Sequence, residues 1–121
     1  MSEKKRQDKH IDYVELASTD FDATKAFYGS VFGWTFVDYG PEYIAIENSG
    51  LDGGFRKADS VTPGGALVVM FSTDIEGARD AVAEAGGEII EEIFDFPGGR
   101  RFEFHDPSGN RLAVWAAPAA E

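Results

Sequence analysis

Few side chains in this sequence can do chemistry. There is no cysteine, which removes both a disulfide framework and a thiolate nucleophile. The two histidines, His10 and His105, stand just before a strand and beside a turn. Both read as polar residues at strand ends rather than as ligands. A glycine-rich phosphate loop followed by lysine is missing, as is a serine on a strand-to-helix elbow. Gly53-Gly54 and Gly64-Gly65 lack the strand-to-helix setting of a nucleotide fingerprint and read as bulges or turns. What remains is Tyr13 and Glu15, Glu47, Phe55, and Arg111 with Trp115. Residues two or four apart on a strand point the same way, so Tyr13 joins Glu15 and Arg111 joins Trp115. Trp115 could stack on a planar ligand and Arg111 could pair with a carboxylate. Aromatic walls with a few polar groups are the usual make-up of a small-molecule site. Singly, each residue has a plainer role: Trp115 and Phe55 as core, Arg111 as a solvated residue, Glu15 and Arg111 as each other's counter-ion. As a set, the six residues favour a ligand pocket. Arg100 and Arg101, after Pro97-Gly98-Gly99, read as balancing Glu91, Glu92 and Asp95 rather than as drawing in an anionic ligand.

These side chains need elements to position them, and the elements come in two copies. Residues 11–16 read as a strand; Ser18-Thr19-Asp20-Phe21 then opens a helix that Gly33 closes. Residues 66–71 read as a strand; Ser72-Thr73-Asp74-Ile75 opens a second helix that Gly86-Gly87 closes. Ser, Thr and Asp accept from the unpaired N–H groups of a first turn, and Gly adopts the left-handed stop. The helical stripes are Thr24, Phe27, Tyr28 and Val31 in the first, and Ile75, Ala78, Ala81, Val82 and Ala85 in the second. Three strand-like stretches follow each helix: 34–38, 43–47 and 51–55, then 88–94, 101–105 and 111–115. Each half reads β-α-β-β-β. The chain is expected to be one α+β domain over 1–121, with module one at about 10–57, a linker at about 58–65 and module two at about 66–116, because neither half buries its sheet alone. Val14, Leu16, Leu112 and Val114 suit packing under the helices, which sends the candidate site residues to the opposite side.

With 22 acidic and 11 basic residues the net charge is −11. Such a field repels phosphate backbones and anionic membranes, so neither nucleic acid nor membrane is expected as a partner. Lys4, Lys5, Arg6 and Lys9 form a basic cluster that reads as a frayed, solubilising tail. No apolar run is long enough to span a bilayer, and the charged start lacks an apolar signal core. A cytoplasmic location is expected.

Thr19-Asp20-Phe21, Ala26-Phe27-Tyr28 and Val31-Phe32-Gly33-Trp34 resemble the first half of a vicinal oxygen chelate protein. Phe104-His105-Asp106-Pro107-Ser108-Gly109-Asn110-Arg111-Leu112 resembles its second-half hairpin. That superfamily includes lactoylglutathione lyases, ring-cleaving dioxygenases, and bleomycin- and fosfomycin-resistance proteins. Phe32-Gly33-Trp34 looks closest to a subgroup related to lactoylglutathione lyases. The resemblance implies two tandem β-α-β-β-β modules forming a cupped mixed sheet with helices outside, and a homodimer. It also implies four metal-ligand places inside the cup. Here these align with Tyr13 (Glu15 adjacent), Leu67, Ala113 and Glu47. Leu and Ala cannot ligate, so no metal and no cofactor is expected, Glu47 being the one carboxylate left as a candidate. The expected function is binding of a small, partly aromatic molecule, for sequestration or sensing. The alternatives are a metal-dependent lyase or dioxygenase, and an interaction module whose cup is filled by its own side chains.

Overall fold

The computed structural model describes residues 6–119. These fall into two compact units, one of residues 13–67 and one of residues 6–12 with 68–119.

The first unit contains β1 (Ile11–Ser18) from Tyr13 onward, α1 (Phe21–Phe32), β2 (Phe36–Asp38), β3 (Tyr43–Ile46) and β4 (Asp52–Lys57). The strands lie in the order β2-β3-β4-β1. β2, β3 and β4 are antiparallel, and β1 runs parallel to β4 with Glu15 opposite Gly54 and Leu16 opposite Phe55. The Ser-Thr-Asp corner forms as the sequence suggests. Ser18 Oγ accepts from the Asp20 N–H at 3.1 Å, and Asp20 Oδ1 accepts from the Ala23 N–H at 3.1 Å. Gly33 closes α1 with φ 75°, in the left-handed region that favours glycine. The core is Ile44, Ile46 and Phe55, packed by Leu16, Phe21, Tyr28, Trp34 and Phe36. The helix stripe is rotated from the expected one. Tyr28 stacks on Trp34 at 4.8 Å between ring centres with planes 6° apart, and that contact turns Phe27 and Val31 outward, each 56% exposed.

The second unit contains β5 (Leu67–Phe71) from Val68 onward, α2 (Ile75–Glu84), β6 (Glu88–Phe96), β7 (Gly99–His105) and β8 (Arg111–Ala116). Its order is β5-β8-β7-β6, with β5 parallel to β8. The corner is repeated: Ser72 Oγ accepts from the Asp74 N–H at 3.0 Å, and Asp74 Oδ1 accepts from the Gly77 N–H at 3.1 Å. Ile75, Phe102, Phe104, Val114 and Ala116 form the core, with Ala78, Val82, Met70 and Leu112 against it. Ala81 and Ala85 of the expected stripe are exposed instead.

Residues 6–10 correct the reading of the basic cluster. The Lys9 N–H donates to the Phe71 carbonyl at 2.7 Å, and the Phe71 N–H donates to the His10 carbonyl at 2.9 Å. Asp8 Oδ1 accepts from the Thr73 N–H at 2.7 Å. Arg6 and Lys9 thus belong to an anchored strap, because the edge of β5 offers backbone partners that a composition-based reading does not see. Lys4 and Lys5 lie outside the described residues.

If both corners cap their helices, Asp20→Ala and Asp74→Ala should each cost about 1 kcal/mol in urea unfolding. Asp22→Ala, in the first turn but not a cap, should change stability by only a few tenths of a kcal/mol, roughly the effect of one charge at a helix end.

Candidate functional site

Sheet register decides which side chains share the face turned away from each helix. In the first unit Tyr43 lies opposite Arg56, and Ala45 opposite Gly54, so Tyr13, Glu15, Tyr43 and Gly54 share that open face. The Tyr13 and Tyr43 hydroxyls are 2.6 Å apart. They meet above Gly54, where a Cβ would lie 2.5 Å from the Tyr43 oxygen and 2.7 Å from the Tyr13 oxygen. Any larger residue would drive the pair apart. Burial raises the Tyr43 phenol well above the ordinary tyrosine range, and the neighbouring charge of Glu15 adds to it. Burial also raises Tyr13; the hydrogen bond with Tyr43 offsets part of that, and Glu15 and Asp52 reinforce it. Both phenols are held neutral, as hydroxyls rather than phenolates. Glu15 is itself buried.

Two expected site residues do not join them. Phe55 is 3% exposed and packs on the helix side, its ring 5.4 Å from Tyr28 and 6.4 Å from Phe36. This corrects its placement on the open face: the β1–β4 register pairs it with Leu16, which faces α1. Glu47 lies just past the end of β3, exposed, accepting from Thr35 Oγ1 at 3.0 Å.

In the second unit the open face carries Arg101, Glu103, Arg111, Ala113 and Trp115, since Glu103 lies opposite Ala113 and Arg101 opposite Trp115. Phe102, Phe104 and Val114 alternate to the helix side. Glu103 is 5% exposed and is clasped by two guanidiniums. Arg101 reaches its Oε2 from Nε at 3.1 Å and Nη2 at 2.7 Å. Arg111 reaches its Oε1 from Nε at 3.0 Å and from Nη2. Burial pushes the Glu103 carboxyl up, but the hydrogen bonds and charges of Arg111 and Arg101 outweigh it and hold the group below the ordinary carboxylate range. Arg111 keeps 58% of its side chain exposed.

Trp115 is half-buried, edge-on to Phe71 at 5.2 Å. Its indole N–H donates to Asp12 Oδ2 at 3.0 Å. Asp12 is 2% exposed and also accepts from Arg6 Nη1, at 2.7 Å on Oδ1 and 2.6 Å on Oδ2. The Arg6 guanidinium lies 5.2 Å from the centre of the indole ring. Arg101 therefore pairs with Glu103, not with the acidic stretch before it. Arg100 follows the sequence reading more closely, meeting Asp95 at 3.6 Å, with Glu76 nearer at 2.8 Å.

Four of the six expected site residues thus lie on open faces, two in each unit. Sequence reasoning missed Tyr43, Glu103, Asp12 and Arg6. Glu103 and Tyr43 had a signal, in the alternation of Phe102-Glu103-Phe104 and Tyr43-Ile44-Ala45-Ile46. Arg6 and Asp12 had none, because their place in the site comes from contacts with Trp115, from the other end of the chain. Among the described residues, no three His, Cys, Asp or Glu side chains gather into a set able to hold a metal ion. Nor is any helix among them long and apolar enough to cross a membrane.

The sequence profile of the Glyoxalase/Bleomycin resistance protein/Dioxygenase superfamily matches residues 10–114. CFP32 of Mycobacterium tuberculosis, whose name provisionally calls it a glyoxylase, is 30% identical over 120 residues, covering 88% of this chain and 45% of its own. The anthracycline biosynthesis protein DauV of Streptomyces sp. strain C5 is 29% identical over 124 residues, covering 85% of this chain and 45% of its own. The Mn(II)-bound glyoxalase of Novosphingobium aromaticivorans superposes with a TM-score of 0.65 at 24% identity, over 93% of this chain and 42% of that one. That last likeness is one of fold. The chain spans less than half the length of each of these proteins.

The clasp on Glu103 sets a pH dependence. A carboxyl whose folded pKa is depressed adds stability that is present above its unfolded pKa and lost as pH falls through the folded value. Glu103→Gln should therefore cost about 1–3 kcal/mol at pH 7, because the amide keeps one acceptor oxygen but loses the charge and the second oxygen that the two guanidiniums share. The gap from the parent protein should close as acid titrates Glu103. Urea midpoints measured at pH 7 and down through the carboxylate range check this; a gap that stays constant with pH would contradict it.

Proposed function

Since the chain belongs to the Glyoxalase/Bleomycin resistance protein/Dioxygenase superfamily, we propose that it binds a small, flat, unsaturated molecule on the open face of its second unit, for sequestration or sensing and without a resident metal. The observation that carries this reading is Trp115: a half-buried indole on the side of the sheet away from α2, its orientation fixed by the bond to Asp12. Stacking on such a ring contributes about 1 kcal/mol beyond buried area. Arg111, more than half exposed and steadied by Glu103, offers a guanidinium to a polar group of the ligand.

The metal-free part of the reading rests on the donor set. Ala113 is fully buried on the open face, and Leu67 alternates to the same side of β5 as Val69 and Phe71, which lie opposite Ala113 and Trp115. These two residues stand where the family resemblance puts ligands, and neither has a lone pair to give. Glu103 and Asp12 are buried carboxylates of this face, and both accept from guanidiniums. A homodimer is also part of the proposal. Relatives that match most of this chain are more than twice as long, and two copies of this chain would give a comparable length. The absence of cysteine agrees with a reducing, cytoplasmic setting.

Three outcomes are expected. Calorimetric titration with 2-naphthol should detect binding that Trp115→Leu weakens about fivefold, the counterpart of one stacking contact. Unchanged affinity together with a sharply lowered melting temperature would make Trp115 core and refute the reading. Elemental analysis after dialysis should find no stoichiometric Zn, Ni, Fe or Mn, whereas one metal per chain would return the protein to metal-dependent lyase or dioxygenase chemistry. Light scattering at micromolar concentration should give the mass of two chains.

A further inference from the structure

The face of Trp115 is already occupied, by the chain itself. Arg6 lies over the indole at 5.2 Å and meets both oxygens of Asp12 through Nη1. Asp12, 2% exposed, binds the indole N–H on the same Oδ2. An aromatic face bounded by a buried carboxylate is a site for a planar cation: the ring quadrupole attracts the charge, and the carboxylate accepts its N–H donors. A guanidinium suits it because it is flat and weakly hydrated. A Cβ on Gly99 would lie 3.0 Å from Trp115 Cε3 and 3.2 Å from Cζ3, so the six-membered ring of the indole packs close to that backbone. Arg6 covers a face of the ring on which a ligand would stack.

Arg6 hangs on a short strap. Its backbone is fixed downstream, where Lys9 and His10 pair with Phe71 and where Asp8 accepts from Thr73. Its own side chain is one-third exposed. A ligand that stacks where Arg6 stands must draw Arg6 away from Asp12, and giving up a hydrogen-bonded cation is costly for a buried carboxylate. A neutral aromatic ligand would leave that cost unpaid. A ligand bearing an amidinium or guanidinium beside its flat ring would cancel it.

We propose that Trp115 and Asp12 form a recognition site for aromatic amidinium or guanidinium compounds, with Arg6 as its displaceable occupant and residues 6–10 as the gate. The inference rests on the reading of Trp115 as a ligand-stacking residue and adds the charge and shape of the ligand.

The test compares 2-naphthamidinium with 2-naphthol by calorimetric titration of the full chain, its Arg6→Ala and Arg6→Lys variants, and the Arg6→Ala/Asp12→Asn double variant. Melting temperatures establish that each is folded. The parent protein should prefer the amidinium at least tenfold. Arg6→Ala, with the occupant gone, should tighten amidinium binding a further tenfold or more, and Arg6→Lys should fall between, since lysine keeps the charge but not the plane. Adding Asp12→Asn should abolish the preference. Equal tightening of both probes in Arg6→Ala would overturn the cation specificity; unchanged amidinium affinity there would overturn the gate. Either result, with 2-naphthol still bound in a Trp115-dependent way, leaves the ligand-binding reading intact. Absence of binding by both probes in every folded variant would defeat both.

Discussion

A carboxylate withdrawn from water must be paired, and that single constraint organises the open face of the second unit. Asp12 and Glu103 are both nearly inaccessible. Each is expensive to bury alone and tolerable with well-placed donors. Glu103 recruits Arg101 and Arg111 from β7 and β8, which fixes two long, flexible side chains in one geometry. Asp12 recruits Arg6 and the indole N–H of Trp115, which joins the strap of residues 6–10 to β8.

The first unit meets the complementary constraint by omitting a side chain. Tyr13 and Tyr43 can share a hydrogen bond across the sheet only because Gly54 has no Cβ beneath them. Glycine in a strand interior costs conformational entropy and packing; the close approach of two phenols is the return. Burial and the adjacent carboxylate then keep both hydroxyls protonated, so this face sets a neutral pair of hydroxyls beside Glu15. The repeat in the sequence has thus diverged at its surface while retaining its corners: the Ser-Thr-Asp turns are alike to within a tenth of an ångström in both copies.

Membership of a superfamily that names resistance proteins and dioxygenases together constrains the scaffold far more than the chemistry. A scaffold of two similar modules places strands reliably and leaves the side chains on their open faces to vary. Here the variation runs towards aromatic and guanidinium groups. The match leaves more than half of each of these longer relatives uncovered.

The sequence by itself determined the order of elements, the duplicated β-α-β-β-β plan, both helix caps and the sides taken by Val14, Leu16, Leu112, Val114 and Trp115. These follow from local rules: a cap is satisfied by its own turn, and strand alternation needs only the neighbouring residues. Element ends moved by a residue or two, and the α1 stripe rotated, because Tyr28 follows Trp34 rather than its helical neighbours. Only the tertiary structure decided which charges met. Arg101 found Glu103 on its own strand rather than the acids before it, and Phe55 fell to the helix side once the parallel register with β1 was set. Arg6 became part of a site through Asp12 and Trp115. A pairing between residues a hundred positions apart leaves no periodic trace in a sequence; it exists only where folding brings a buried carboxylate, an indole and a cation together.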